Sequence, residues 1–181
     1  MKNLSNHRPL TNPNVLWESP NLGWNKTQDS KVVNLPNKRT QTFRYEITPY
    51  LKDSNSYGNI YFSRYFEWQG VCRETWFTEC IYSNMFEMDG AFLTKAAHNS
   101  YKEEVLPFQK IVCLLNIKNL KHTSFDLVFR FYNKETGVLV STGYQTVVFI
   151  DSTDKRIKKL PEEVIEKVKK FEAQNVCKLR S

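Results

Sequence analysis

The chain has 181 residues, of which 40% are hydrophobic and 14% aromatic, and it carries a formal net charge of +7. This length and apolar content suffice for one sizeable core, so we expect a single domain. No apolar stretch approaches the roughly 18 residues of a membrane-spanning helix, and the first residues lack the apolar middle of a signal peptide. The composition therefore predicts a soluble, cytoplasmic protein.

The scattered cysteines and histidines and the basic charge argue against several classes of partner. There is no CxxC pair and no metal-ligand spacing, so we expect reduced thiols, no metal site and no cofactor. Basic residues concentrate near the C-terminus without a nucleic-acid recognition motif. This charge suits a phosphate-bearing thioester carrier better than nucleic acid. The scattered residues are Cys72, Cys80, Cys113, Cys177, His7, His98 and His122.

Residues 1–40 are rich in asparagine and proline and contain two isolated tryptophans, Trp17 and Trp24. Such a segment cannot bury enough apolar surface to fold alone. We expect an arm that is poorly ordered, or that becomes ordered where a tryptophan docks against the domain or a neighbouring subunit.

The folded domain is predicted to span residues 41–173, followed by a basic tail at 174–181. Residues 41–47 alternate polar and apolar side chains, which predicts a strand with one buried face that ends at Pro49. A polar turn at 53–59 and a long aromatic-rich helix to about Tyr82 follow.

Four further strands are predicted at about residues 91–100, 109–120, 124–132 and 139–150. The short connections between the last three predict hairpins of antiparallel neighbours. A final helix opens at Pro161, with acidic residues in the first turn, where the helix dipole favours them. Its apolar face contains Val164, Ile165, Val168 and Phe171.

The long helix carries a polar stripe on an otherwise mostly apolar surface. Tyr65, Gln69 and Arg73 are spaced four residues apart and share one face. An unpaired guanidinium or amide in a core is costly, so the stripe should face a partner, a subunit interface or a ligand cavity. The alternative is that Arg73 pairs with a carboxylate in the core or at an interface.

The predicted order is one strand, a long helix, four strands and a short helix. With such short connections, only a sheet that wraps around the long helix can bury it on all sides. We therefore predict an α+β protein with a single domain, in which an antiparallel sheet wraps around a long central helix. This is the order of elements of the hot-dog fold.

The run from Asp53 to Glu74, DSNSYGNIYFSRYFEWQGVCRE, resembles the signature of hot-dog acyl thioesterases related to the 4-hydroxybenzoyl-CoA enzyme. It is most similar to the branch associated with enediyne polyketide synthases, whose pattern is D-T-N-x-x-G-N-V-Y-x-x-x-Y-x-x-W-Q-G-x-C-R-E. The resemblance implies a homodimer or dimer of dimers with sites at the shared interface. It also implies an acyl carrier protein or CoA thioester as substrate, and no cofactor.

The resemblance implies that Asn55, Tyr65 and Arg73 are catalytic. In related branches the position of Asn55 is an aspartate, but asparagine can neither take a proton nor form an anhydride, so covalent carboxylate catalysis there is excluded. Asn55 would hold the attacking water or the carbonyl, Arg73 would bind the oxyanion or a β-keto group, and Tyr65 would orient either one. Gln69 is expected to line the substrate.

A mechanism without a carboxylate relies on positioning and charge stabilisation. Backbone amides at the helix start, around Tyr61 and Phe62, are expected to stabilise the oxyanion. Gly58 and Asn59 form the turn and let the backbone approach the substrate, and Gly70 is expected to allow close packing of the helix on the sheet.

The expected function is hydrolysis of an acyl or β-ketoacyl thioester of the polyketide or polyene type. A non-hydrolytic protein that binds acyl carriers and an acyltransferase that uses the same site both remain open. A hydratase-like motif would place histidine where this chain has Gly58, which disfavours a dehydratase. A serine hydrolase is not supported, because the chain lacks a G-x-S-x-G elbow.

Overall fold

The computed structural model describes residues 32–34, 40–84 and 87–173. An antiparallel sheet of six strands in the order β1-β2-β4-β5-β6-β3 forms the centre of the domain. The five predicted strands are confirmed to within about two residues at each end. The strands are β1 (Val32–Asn34), β2 (Gln41–Ile47), β3 (Ala91–Tyr101), β4 (Ile111–Lys118), β5 (Ser124–Asn133) and β6 (Leu139–Ile150).

The short strand β1 was not predicted, because it lies in the segment assigned to the arm. It pairs with β2, with Val33 opposite Thr42. Trp17 and Trp24, which were expected to dock the arm, lie outside the described residues. The basic tail at 174–181 also lies outside them.

Two helices complete the domain, in an arrangement consistent with the hot-dog fold. Helix α1 (Arg64–Trp76) continues into a π-helical turn, Phe77–Ile81, and α2 spans Glu162–Lys169. The π-helical turn is closed by the N–H of Tyr82, which donates to the carbonyl of Phe77 at 2.9 Å. Among the described residues, no helix has the length and apolarity that a membrane span requires.

One row of paired residues crosses the inner face of the sheet beneath α1. From β2 to β3 it contains Phe43, Leu115, Phe129, Gly143 and Asn99. The first three are fully buried and apolar, and burial of each such side chain contributes roughly 1.5–3 kcal/mol. The row becomes glycine and asparagine at β6 and β3. The core is therefore apolar on one side of α1 and polar on the other.

Helix α1 begins later than the sequence predicted. The N–H of Ile60 donates to the carbonyl of Val105 and the N–H of Tyr61 to the carbonyl of Asp53, each at 2.8 Å. These two amides are committed to contacts outside the helix. The segment before the helix is thus held by contacts elsewhere in the chain, and the helix begins at Arg64.

The expectation that the long helix is buried on all sides is wrong for this chain. Val71 is 46% exposed, and Glu67 and Glu74 are exposed on the same outward side. The packing role expected of Gly70 is also wrong, because a Cβ at this position would meet nothing within 4 Å.

Candidate active site

The turn between β2 and α1 holds Asn55 in a defined orientation. Its N–H donates to the carbonyl of Asn59 at 2.9 Å, and its carbonyl accepts from the N–H of Gly58 at 3.0 Å. Gly58 has a φ of +86°, which favours glycine. The Oδ1 atom of Asn55 accepts from the N–H of Tyr57 at 2.8 Å. Its Nδ2 has no partner among the described residues and is therefore left as a donor.

The acidic residue of this turn, Asp53, is committed to structure. It is 9% exposed, and its carboxylate accepts from the N–H of Tyr50 at 2.8 Å and lies 3.7 Å from Nε of Arg64. An aspartate fixed in this way supports the turn and the start of α1. It does not line the cleft in which Asn55 lies.

Asn55 and Tyr65 line one open cleft of about 350 Å³. The ring of Tyr65 packs against Trp68 and Phe131, and its hydroxyl makes no hydrogen bond to a described residue. Burial, with a smaller effect of nearby Tyr101, raises the pKa of Tyr65 to about 12. At neutral pH the Tyr65 hydroxyl is therefore a neutral hydrogen-bond donor.

Of the two amides expected to stabilise an oxyanion, one is unavailable. The N–H of Tyr61 donates to the carbonyl of Asp53, which corrects the expectation for this residue. The N–H of Phe62 donates to no backbone carbonyl of the described residues, and Phe62 lines the cleft. Of Tyr61 and Phe62, therefore, Phe62 is the one that remains a candidate backbone donor.

The opposite wall of the cleft consists of residues that the sequence did not single out, from Tyr101 to Val105. The hydroxyl of Tyr101 donates to the carbonyl of Phe62 at 3.0 Å, and Glu104 accepts from Nδ2 of Asn59 at 3.0 Å. These contacts hold the two segments together. The segment carries no motif and lies far along the chain from the turn, so only the fold brings it to the site.

Gln69 does not line this cleft. It is fully buried, and its Nε2 donates to the carbonyl of His98 at 3.2 Å and to Oδ1 of Asn99 at 3.0 Å. This differs from the expectation that Gln69 lines the substrate, and it gives the residue a supporting role.

Arg73 also lies outside the cleft, two helical turns beyond Tyr65 and roughly 12 Å along the helix axis. Its Nη1 donates to Oγ1 of Thr94 at 2.7 Å and to Oε1 of Gln145 at 3.0 Å. Its Nη2 lies 3.3 Å from the carboxylate of Glu74, and a carboxylate this exposed contributes little. In one protomer the predicted trio is divided, with Asn55 and Tyr65 in the cleft and Arg73 beyond it.

The partners of Gln69 and Arg73 on β6 were missed by the sequence analysis. Ser141, Gly143 and Gln145 occupy alternate inward positions of β6, where an apolar core face is normal. Polar or small residues at three successive inward positions are a signal that could have identified them. No group of histidine, cysteine and carboxylate side chains within the described ranges is arranged to hold a metal ion.

The chain belongs to the thioesterase-like superfamily. The family model matches residues 50–168, a range that contains the turn of Asn55, helix α1 and strands β3 to β6. No curated protein matches the chain significantly.

Solved structures with a similar fold include two thioesterases and one protein in complex with CoA. The dynemicin thioesterase, described for polyene binding, is 22% identical, with a TM-score of 0.68 over 73% of this chain and 98% of its own. A 1,4-dihydroxy-2-naphthoyl-CoA thioesterase from Synechocystis is 18% identical, with a TM-score of 0.64 over 70% and 95%. A hypothetical protein from Staphylococcus aureus in complex with CoA is 16% identical, with a TM-score of 0.66 over 73% and 84%. These likenesses establish the hot-dog fold.

Proposed function

We propose that this protein is a thioesterase that hydrolyses an acyl or β-ketoacyl chain, of the polyketide or polyene type, from an acyl carrier protein or CoA. Membership of the thioesterase-like superfamily supports the reaction class. The signature from Asp53 to Glu74 and the likeness to the dynemicin thioesterase support the enediyne-type branch.

The observation that carries the proposal is the cleft whose lining residues supply three donors without partners among the described residues. They are Nδ2 of Asn55, the N–H of Phe62 and the hydroxyl of Tyr65. Neutral donors gathered in a partly desolvated cleft are suited to a carbonyl oxygen that becomes negative during the reaction. Loss of one such donor typically lowers kcat by roughly 10²–10³-fold.

In the proposed mechanism the thioester carbonyl accepts hydrogen bonds from Asn55 and Tyr65, and water adds to its carbon. The negative charge of the tetrahedral intermediate is stabilised by the same donors and by the N–H of Phe62. The C–S bond then breaks, the carboxylic acid is released, and the thiol leaves with a proton from the attacking water. Asn55 acts as a donor through Nδ2, since a carboxamide is not a base at neutral pH and its Oδ1 is oriented towards the N–H of Tyr57.

In our proposal, the Arg73 that acts at this site comes from a second copy of the chain. The active unit is then a homodimer or a dimer of dimers, in which the face of α1 that carries Arg73 approaches the cleft of another protomer. The exposed outermost strand β3 supports such an association. The guanidinium would bind the oxyanion or a β-keto oxygen of the substrate.

The proposal is tested by incubating the purified protein with acyl-CoA, β-ketoacyl-CoA and acyl-carrier thioesters and measuring the release of free thiol. We expect release above background, and a decrease in kcat of about 10²-fold for Asn55→Ala and for Arg73→Ala. Glu67→Gln is the matched control on α1, because Glu67 is exposed and, among the described residues, pairs only with Arg64 at 2.7 Å. Its kcat should equal that of the wild type.

Three outcomes would contradict the proposal in different ways. Release that survives both Asn55→Ala and Arg73→Ala would move the site elsewhere. Tight binding of the thioesters without release would favour a binding protein. Release that requires an added alcohol or amine would favour an acyltransferase.

A further inference from the structure

A continuous chain of hydrogen bonds runs beneath α1 from Arg73 to the outermost strand β3. Oε1 of Gln145 accepts from Arg73 at 3.0 Å, and Nε2 of Gln145 donates to Oε1 of Gln69 at 3.3 Å. Gln69 in turn donates to Oδ1 of Asn99 at 3.0 Å. Asn99 donates from Nδ2 to Oγ of Ser141 at 2.7 Å.

Every amide in this chain can be oriented in only one way. Arg73 can only donate, so the atom of Gln145 that faces it must be the oxygen, and Nε2 of Gln145 then donates to Oε1 of Gln69. The carbonyl of His98 can only accept, which independently requires Nε2 of Gln69 on that side. The same Nε2 donates to Oδ1 of Asn99, and Nδ2 of Asn99 donates to Ser141. Turning any one of them would place two donors or two acceptors in contact. The oxygen of Gln145 therefore always faces Arg73.

Gly143 provides the space that the chain requires. A Cβ at this position would lie 2.2 Å from Nε2 of Gln69 and 2.9 Å from Oδ1 of Asn99. Only glycine lets Gln69 reach strand β3 across β6. The arrangement is consequently built by residues of three elements, α1, β3 and β6.

The result is an arginine whose two edges meet different kinds of acceptor. Both hydrogens of Nη1 are used on the inner edge, by the neutral oxygens of Thr94 and Gln145. On the outer edge, formed by Nη2 and Nε, Nη2 donates to the carboxylate of Glu74 at 3.3 Å. That carboxylate is 61% exposed and the side chain of Arg73 is 26% exposed, so this contact is weak.

We propose that Gln145 is a positioning residue for the thioester hydrolysis, holding the guanidinium of Arg73 so that its outer edge exchanges the exposed carboxylate of Glu74 for an oxygen of the substrate. This inference rests on the proposed function. Gln145 does not touch the substrate; it acts through Arg73. A carboxylate in its place would neutralise the cation, whereas the amide oxygen orients it and leaves its charge available for the developing oxyanion.

The test is the pair Gln145→Leu and Thr94→Val, each of which removes one neutral acceptor of Arg73. We expect kcat to fall by about tenfold or more for Gln145→Leu, since a hydrogen bond to a charged group is lost, with KM nearly unchanged. Thr94→Val, on the exposed strand, covers the case in which Gln145→Leu does not fold, and should lower kcat by several-fold. Thr146→Val is the control, because Thr146 donates to Asp126 at 2.7 Å on the opposite face of the sheet.

Two further measurements distinguish the positioning role of Gln145 from a purely structural role. In the Arg73→Ala background, Gln145→Leu should cause no additional loss of kcat, because a positioning residue has no effect once its target is gone. Millimolar guanidinium should partly restore kcat of Arg73→Ala, and the double variant should not respond, because Gln145 no longer holds the ion.

The outcomes distinguish this inference from the proposed function. If Arg73→Ala lowers kcat but Gln145→Leu and Thr94→Val do not, the positioning role is overturned and the thioesterase proposal stands. Losses that multiply in the double variant would also overturn it, in favour of a structural role. Full activity of Arg73→Ala would overturn the positioning role and remove Arg73 from the site, whereas absence of hydrolysis by the wild type would overturn both proposals.

Discussion

The buried phenol of Tyr65 should make the free energy of unfolding depend on pH. Burial raises the pKa of its phenol to about 12, whereas an unfolded chain releases this proton near its ordinary value of about 10. The contribution of Tyr65 to stability is fully present below about pH 10 and is lost as the pH rises towards 12. The free energy of unfolding should therefore fall more steeply above about pH 10 in the wild type than in Tyr65→Phe.

Urea unfolding between about pH 9 and pH 11 measures this difference. Tyr57→Phe is the control, since the Tyr57 ring is 93% exposed, and its stability curve should run parallel to that of the wild type. Equal alkaline declines for the wild type and Tyr65→Phe would show that the phenol is not buried as described.

The signature singled out residues that share one cleft, but it did not indicate the contacts that each of them makes. Asn55 and Tyr65 were recognised from the sequence, and they meet in one cleft. That Oδ1 of Asn55 and the amide of Tyr61 are occupied depends on hydrogen bonds within the folded turn. Gln145 was missed because its contact with Arg73 joins residues 72 positions apart, and local periodicity carries no information about such pairs.

Within helix α1, Gly70 offers a test of how the outward face is used. A Cβ at Gly70 meets nothing within 4 Å, and glycine inside a helix is less favourable than alanine by about 0.5–1 kcal/mol. Gly70→Ala should stabilise the protein by about this amount, measured as an increase in the urea midpoint or in Tm.

Gly137→Ala is the matched comparison, because Gly137 also has open space but a φ of +71°. Its substitution should destabilise the protein through backbone strain alone. If Gly70→Ala lowered stability instead, a second copy or a ligand would have to pack against this side of α1.

Secondary structure was predictable from the sequence wherever it is determined by the alternation of polar and apolar residues or by residues typical of a helix start. Strand β2 was predicted with its observed bounds, and α2 begins one residue after Pro161. The late start of α1 was not predictable, because it depends on the contact of Ile60 with Val105. β1 has only three residues, which is too short for a periodic signal.

Across the whole molecule, the sheet ends in an unusually open edge. β3 has eleven residues and is the outermost strand, and the six residues from Leu93 to His98 are all exposed. Long exposed edges of this kind readily pair with another strand. The acceptors of Gln69 and one acceptor of Arg73, Thr94, lie on this strand, so association through β3 would place the polar network close to the subunit contact.

A proline at either of two neighbouring positions of β3 tests this association. Ala96 and Ala97 pair with Thr146 and Gln145 of β6, and the N–H groups of successive residues point to opposite sides of a strand. Proline removes one donor. The proline variant at the position whose N–H faces β6 should lose a hydrogen bond to β6 and have a lower Tm. The variant at the position whose N–H faces away from β6 should keep its Tm and self-associate less. Sedimentation of the wild type and both variants over a range of concentrations measures this, and a wild type that remains monomeric throughout would exclude pairing through β3.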